Sequence, residues 1–231
     1  MKHRILSMVA VVRPARAAAG YRPGLFLPAL ALLVLALVFG FGGSLSVAES
    51  TASGVDGTIP AYGRGPQEMI VFSDYFCPPC MTIDGELEPI LQKLLAKGDM
   101  RVVFVDIPGH KQTALYAKYF LYAIQAAPGW EAAMKARHVL YGLSKQNLAK
   151  TEGEIEKAFA EQGVPFSVYD PKPVFNTWNR LIKEHKIQTT PSCVVKFSAT
   201  DMRRYEGSAE IRNKLLPELE NLAKKGTAKK S

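Results

Sequence analysis

The chain has 231 residues, 48% of them hydrophobic and 22% charged, a balance that supplies one globular core. The formal net charge is +8, but five of the 29 Lys and Arg residues lie in residues 1–23, which carry no acid. Removing those five leaves 24 basic against 21 acidic residues, a net +3, so the charge gives no ground for a nucleic-acid partner.

The basic lead holds Lys2, Arg4, Arg13, Arg16 and Arg22. Residues 24–41 are then almost wholly apolar, and small residues follow, including Ser46 and Ala48. This order is that of an export signal, with Ser46 and Ala48 as the small residues of a cleavage site. An uncleaved anchor is the other reading. Leu25 to Phe41 spans roughly 26 Å as a helix, at the short end of a membrane span. Either way residues 1–48 direct the rest of the chain out of the cytoplasm.

Residues 49–66 are rich in Gly, Ser and Pro and read as a linker with a short edge strand. The run Met69 to Phe72 is a strand heading for Cys77 and Cys80. From Pro78 to about Lys97 the apolar positions fall at helical spacing, with Pro89 expected to kink the helix and Gly98 to stop it. Arg101 to Asp106 is a second strand, so the first half predicts a right-handed βαβ unit with parallel strands. Residues 111–187 read as four helices. The third opens on a capping-box pattern, Thr151 to Glu154. Ser192 to Ser198 and Met202 to Tyr205 form a hairpin, and Ala209 to Lys224 a last helix. A basic tail, 226–231, closes the chain.

Only three cysteines occur: Cys77, Cys80 and Cys193. That is too few for a disulfide-stapled scaffold, and no second Cys-x-x-Cys completes a zinc site. A clip across so short a loop constrains the unfolded chain little. A redox pair at a helix start is the better use: the helix N-terminus favours the thiolate, the form that attacks disulfides.

Strand, Cys-x-x-Cys at a helix start, strand, then Thr190-Pro191 before a hairpin and a final helix resemble the thioredoxin fold. F-S-D-Y-F-C-P-P-C, V-F-V-D-I-P and T-T-P-S-C-V-V resemble segments of the DsbA-like thiol–disulfide oxidoreductases. The resemblance covers about residues 66–224 and implies an α/β thioredoxin-like fold with an inserted helical subdomain. It implies Cys77 as nucleophile at the N-cap, partly exposed, and Cys80 as resolving thiol. It also implies a cis Thr190–Pro191 bond beside them, whose backbone presents substrate. No metal or organic cofactor is implied. The implied partners are exported client proteins with thiols or disulfides, and a membrane redox partner that resets the pair. The implied location is the periplasm or the outer face of the bacterial inner membrane.

Pro78 and Pro79 remove two amides that would otherwise donate to the Cys77 thiolate, leaving chiefly that of Cys80. Relatives with His in place of Pro79 gain an amide and an imidazole, so this pair is expected to be a milder oxidant. Thr before the proline resembles isomerase and reductase relatives. Asp74 could accept a proton from Cys80 or cap a turn. Cys193 reads as a buried small hydrophobe, with a third redox thiol as the sharper alternative. His110, His138 and His185 read as solvated or structural, and the aromatic run Tyr116, Tyr119, Phe120 and Tyr122 as core. Three functions stay open: disulfide exchange with clients, a reductase or isomerase, for example for cytochrome c maturation, and a non-catalytic chaperone-like binding module.

Overall fold

The computed structural model describes residues 59–147 and 151–225. The export or anchor segment at 1–48 and the tail at 226–231 lie outside them. No described helix is long and apolar enough to cross a membrane.

A five-stranded sheet organises the domain, in the order β1-β3-β2-β4-β5. The strands are β1 (Ala61–Tyr62), β2 (Gln67–Ser73), β3 (Met100–Asp106), β4 (Ser192–Lys196) and β5 (Met202–Glu206). β2 and β3 pair in parallel, joined by helix α1 (Pro78–Lys97). Their Val- and Phe-rich runs are buried, as expected of strands covered on both faces. Gly98 ends α1 in the left-handed region, φ 73°, where its backbone N–H satisfies the carbonyls of Leu94 and Leu95. Pro89 does not end α1, which continues through it to Lys97. The edge strand β1 pairs antiparallel with β3, and Ile59, Ala61 and Tyr62 are buried, so the end of the expected linker belongs to the core.

Four helices follow β3: α2 (Thr113–Ala126), α3 (Trp130–Gln146), α4 (Glu152–Glu161) and α5 (Lys172–Glu184). The capping box forms as expected: the Glu154 amide donates to the Thr151 hydroxyl, and the Thr151 amide donates to the Glu154 carboxylate. Tyr116, Tyr119, Phe120 and Tyr122 are all buried on α2. After β5 come α6 (Gly207–Glu210), a π-helical turn (Ile211–Leu215) and α7 (Leu216–Lys225).

The register decides where the site lies. β4 runs antiparallel to β2, with Phe72 opposite Ser192, so Pro191 arrives beside the end of β2 that leads to Cys77. β3 ends level with β2, Asp106 beside Ser73, so the loop carrying His110 leaves from the same end. Three distant segments thus converge at one end of the sheet.

Candidate redox site

Cys77 is the N-cap of α1, with extended backbone (φ −93°, ψ 107°), and is disulfide-bonded to Cys80 with Cα atoms 5.3 Å apart. Cys77 is 8% exposed and Cys80 1%. The order is as expected, but Cys77 is more enclosed than a partly exposed nucleophile: its neighbours Pro78 and Pro79 carry the exposed surface.

An N-cap side chain takes donors from the second and third helical residues. The third is Cys80, whose amide donates to Cys77 Sγ at 3.3 Å and also to the Cys77 carbonyl at 3.0 Å. The second is Pro79, which has no N–H. Pro78, in first place, would not point at the cap sulfur in any case. The cost to the thiolate therefore rests on Pro79 alone, a narrower statement than the sequence reading of two missing donors.

The Thr190–Pro191 peptide is cis. The Thr190 carbonyl oxygen lies 3.6 Å from Cys77 Sγ. A reduced Cys77 thiol can donate to that oxygen, whereas a thiolate is repelled by it. The carbonyl therefore favours the protonated thiol, in the same direction as the missing Pro79 amide.

Asp74 shapes the approach to Cys77. Its carbonyl accepts the Cys77 amide, and its carboxylate accepts the Phe76 amide at 2.8 Å and the Thr113 hydroxyl at 2.7 Å. His110 Nδ1 lies 2.7 Å from the other carboxylate oxygen. Since a carboxylate only accepts, His110 carries its proton on Nδ1 there. Gly109 makes this packing feasible, because a Cβ at that position would stand 2.7 Å from Asp74 Oδ2. All carboxylate hydrogen bonds of Asp74 seen among the described residues serve the turn and its neighbours, and none reaches Cys80. Of the two roles read for Asp74, the geometry displays the cap. Its partnership with His110, which is half-exposed and packs against the Phe76 ring, was not visible in the sequence.

The other singled-out residues lie apart from this chemistry. Cys193 is free, fully buried and opposite Val71, with its thiol pKa pushed up by burial. His138 Nε2 lies 2.6 Å from Glu88 on the surface. His185 packs against Phe72, and burial lowers its pKa.

Sequence reasoning also missed a buried ionic network. Arg137 of α3 is fully buried. It donates to both oxygens of Asp84 on α1, at 3.2 and 2.9 Å, and to Asp106 at the end of β3, at 3.3 Å. It also donates to Ser73 and Tyr141 at 3.0 Å, and its guanidinium stacks 4.2 Å from the Phe104 ring centroid. One charge thus joins the insertion, α1 and two central strands. Asp106 receives only a share of it, and its Oδ2 is buried with no hydrogen-bond partner within 3.5 Å among the described residues. Burial wins over the Arg137 attraction, and the Asp106 pKa is pushed up to about 6.

A groove opens on the other flank of the cysteine pair, with a cavity volume of about 570 Å³, between the start of α1 and the last turns of α3. Phe76 and Pro78, the two chain neighbours of Cys77, both line it.

Comparison with known proteins agrees with this geometry. The family model Thioredoxin_4, described as thioredoxin, matches residues 63–209, well over half of the chain. No curated protein matches. Among solved structures, a periplasmic thioredoxin-like protein from Salmonella enterica serovar Typhimurium is similar at 21% identity and TM-score 0.50, over 77% of this chain and 95% of its own. A candidate protein-disulfide isomerase from Pseudomonas syringae is similar at 16% identity and TM-score 0.54, over 69% and 96%. A linker-deletion variant of ScsC from Proteus mirabilis is similar at 20% identity and TM-score 0.52, over 79% and 80%. A Cys-x-x-Cys disulfide at a helix start on this sheet is the site of a thiol–disulfide oxidoreductase. The chain belongs to the thioredoxin family.

Proposed function

We propose that this chain is an exported protein thiol–disulfide oxidoreductase, exchanging disulfides with client proteins through Cys77 and Cys80. The observation that carries the reading is the meeting of the disulfide with the Thr190 backbone, Sγ to carbonyl 3.6 Å. In oxidation a client thiolate attacks Cys77 Sγ. The client–Cys77 bond forms, the Cys77–Cys80 bond breaks, and Cys80 leaves as thiolate and takes a proton. A second client thiolate then attacks the client sulfur of the mixed disulfide, and Cys77 leaves. Two electrons pass from the client to the pair, and the client gains the disulfide. Thr190 pairs with extended client backbone as in strand addition.

Reduction is the same sequence run backwards; in isomerisation the Cys77 thiolate of the reduced pair attacks a client disulfide, and a different client thiolate then attacks the client sulfur bonded to Cys77, so Cys77 leaves as thiolate and no net electrons pass. The Pro79 gap and the Thr190 carbonyl both weaken the Cys77 thiolate, so the reduced form is stabilised less than in a strong oxidase and the pair is a mild oxidant. This favours isomerase or reductase duty. A membrane redox partner resets the pair. The basic and apolar lead supports an extracytoplasmic location, as does the periplasmic setting of the Salmonella enterica neighbour.

Insulin reduction and reoxidation of reduced ribonuclease test the reading. The wild type should act in at least one assay, and Cys77→Ser in neither. Equal behaviour of the two proteins would leave the binding-module reading in its place.

A further inference from the structure

We propose that Arg204 is a positioning residue for the exchange: from β5 it holds the connection that carries Thr190, and so sets how the Thr190 backbone meets Cys77 and the client. The inference rests on the client-exchange reading above and adds to it a residue that acts through the Thr190 backbone.

The connection between α5 and β4 has little support of its own. Among the described residues, the backbone amides of Gln188, Thr189 and Thr190 donate no hydrogen bond within the chain. Gln188 and Thr189 are also exposed, so no packing fixes them from outside. The place of Thr190 is therefore decided from the two ends. At the sheet end, the Gly207 amide donates to the Pro191 carbonyl at 2.9 Å, and the Ser192 hydroxyl donates to the Thr189 carbonyl at 2.8 Å. The other end is the terminus of α5. The chain reverses there at Lys186, φ 52°, in the left-handed region that a residue with a Cβ rarely adopts. The Ile187 amide closes the turn on the Ile182 carbonyl at 3.0 Å. The carbonyls of His185 and Lys186 lie past the last helical turn and have no helical partner. Arg204 supplies one for both: its Nη1 donates to the His185 carbonyl at 2.9 Å and to the Lys186 carbonyl at 3.3 Å. A cation at this place also meets the negative end of the helix dipole.

Arg204 is itself aimed by the sheet. It pairs with Val194 in the β4–β5 ladder, and Glu206, two residues on and on the same face, stands 3.6 Å from its Nε. That leaves Nη1 for the two carbonyls. One strand thus grips both ends of the connection, through the Arg204 side chain at His185 and Lys186 and through the Gly207 amide, just past its end, at Pro191. The Thr190 carbonyl, 3.6 Å from Cys77 Sγ, lies between the two grips. Releasing the α5 grip loosens this carbonyl while the disulfide, held by α1, stays in place.

The experiment compares Arg204→Met with Arg203→Met in the full chain. Arg203 is the neighbour of Arg204 on β5 but pairs with Asp201 and Glu218, so it controls for the loss of a cation from that strand. Each oxidised protein is reduced by a synthetic single-cysteine peptide and, separately, by dithiothreitol, which has no backbone to pair with Thr190. Loss of the Cys77–Cys80 disulfide is followed by quenched thiol trapping. In Arg204→Met the peptide rate should fall about two- to fivefold, the effect of a cation on exposed helix-terminal carbonyls, while the dithiothreitol rate holds. In the reduced protein the Cys77 thiolate should form at lower pH than in the wild type, because the carbonyl that favours the thiol has moved off. Thiolate absorbance reads that titration, and a loss of fold stability alone moves neither it nor the peptide-to-dithiothreitol ratio. Arg204→Lys, which keeps a cationic donor for both carbonyls, should recover most of both. An unchanged ratio in Arg204→Met, an unshifted titration, or the same changes in Arg203→Met would each overturn the positioning role. If dithiothreitol reduces the wild type and the peptide does not, the client-exchange reading itself fails, and the role of Arg204 with it.

Discussion

Replacing Pro79 by Ala should lower the pKa of Cys77 in the reduced protein. The substitution adds one backbone N–H at the second helical residue, a position that donates to an N-cap side chain. At present the Cys80 amide alone donates to Cys77 Sγ among the described residues, at 3.3 Å, and it is shared with the Cys77 carbonyl. A hydrogen bond to a charged group contributes about 1.5–3 kcal/mol. One pKa unit corresponds to about 1.36 kcal/mol, so a fully formed bond lowers the pKa by about one to two units. Pro79 is exposed, and water competes for the thiolate there, so the lower end applies, about one unit. A more stable thiolate stabilises the reduced pair, so the reduction potential should rise by at most about 30 mV, since about 1.4 kcal/mol is 30 mV for two electrons. Thiolate ultraviolet absorbance against pH reads the pKa, and equilibration with glutathione reads the potential. Pro79→His should go further in the same direction, and Pro78→Ala should do little. An unchanged or raised pKa in Pro79→Ala would refute the argument that the missing second amide limits this thiolate.

Arg137→Met should destabilise the fold by about 3–5 kcal/mol in urea denaturation, because Asp84 and Asp106 would lose the cation they share; a loss under about 1 kcal/mol would contradict the network's role. Asp106 carries a pH signature. Its folded pKa, about 6, stands above the usual carboxylate value, so between about pH 4 and about 6 the folded state binds more protons than the unfolded. Stability from this group is therefore present at low pH and lost as pH rises through that window. Asp106→Asn should remove the decline, so the stability difference between variant and wild type should grow from pH 4 to pH 6; a flat difference would count against it. Asp74→Ala should cost about 2 kcal/mol in thermal denaturation, since it leaves the Phe76 amide and the Thr113 hydroxyl without their acceptor. A cost near zero would show that the cap is replaced by water.

Much of the fold was legible because local signals agreed with the final packing. An apolar run after Gly65-Pro66 became β2 and a Val-rich run between Gly98 and Pro108 became β3, the Thr151 capping box opened α4, and Gly98 ended α1. The cysteine pair and Thr190-Pro191 were legible as motifs, though only the antiparallel register of β4 on β2 explains why they meet. The Arg137 network was not legible, because its members lie on separate elements and only tertiary packing joins them. A faint signal existed: Arg137 occupies the apolar stripe of α3 with Ala133, Met134, Leu140 and Tyr141. A cation on a buried stripe calls for an anion, and Asp84 shares the buried face of α1 with Ile83 and Leu87. The π-helical turn at Ile211–Leu215 carried no mark in composition, since it depends on one extra residue fitting against its neighbours.

The central claim is that Cys77 exchanges covalently with client cysteines. A Cys80→Ala variant, expressed in place of the wild type and separated without reductant, isolates the first half of the exchange. It should carry mixed disulfides with other proteins, linked through Cys77 and released by dithiothreitol. The Cys77→Ala, Cys80→Ala double variant should carry none. Absence of such adducts, or adducts that persist in the double variant through Cys193, would contradict the account.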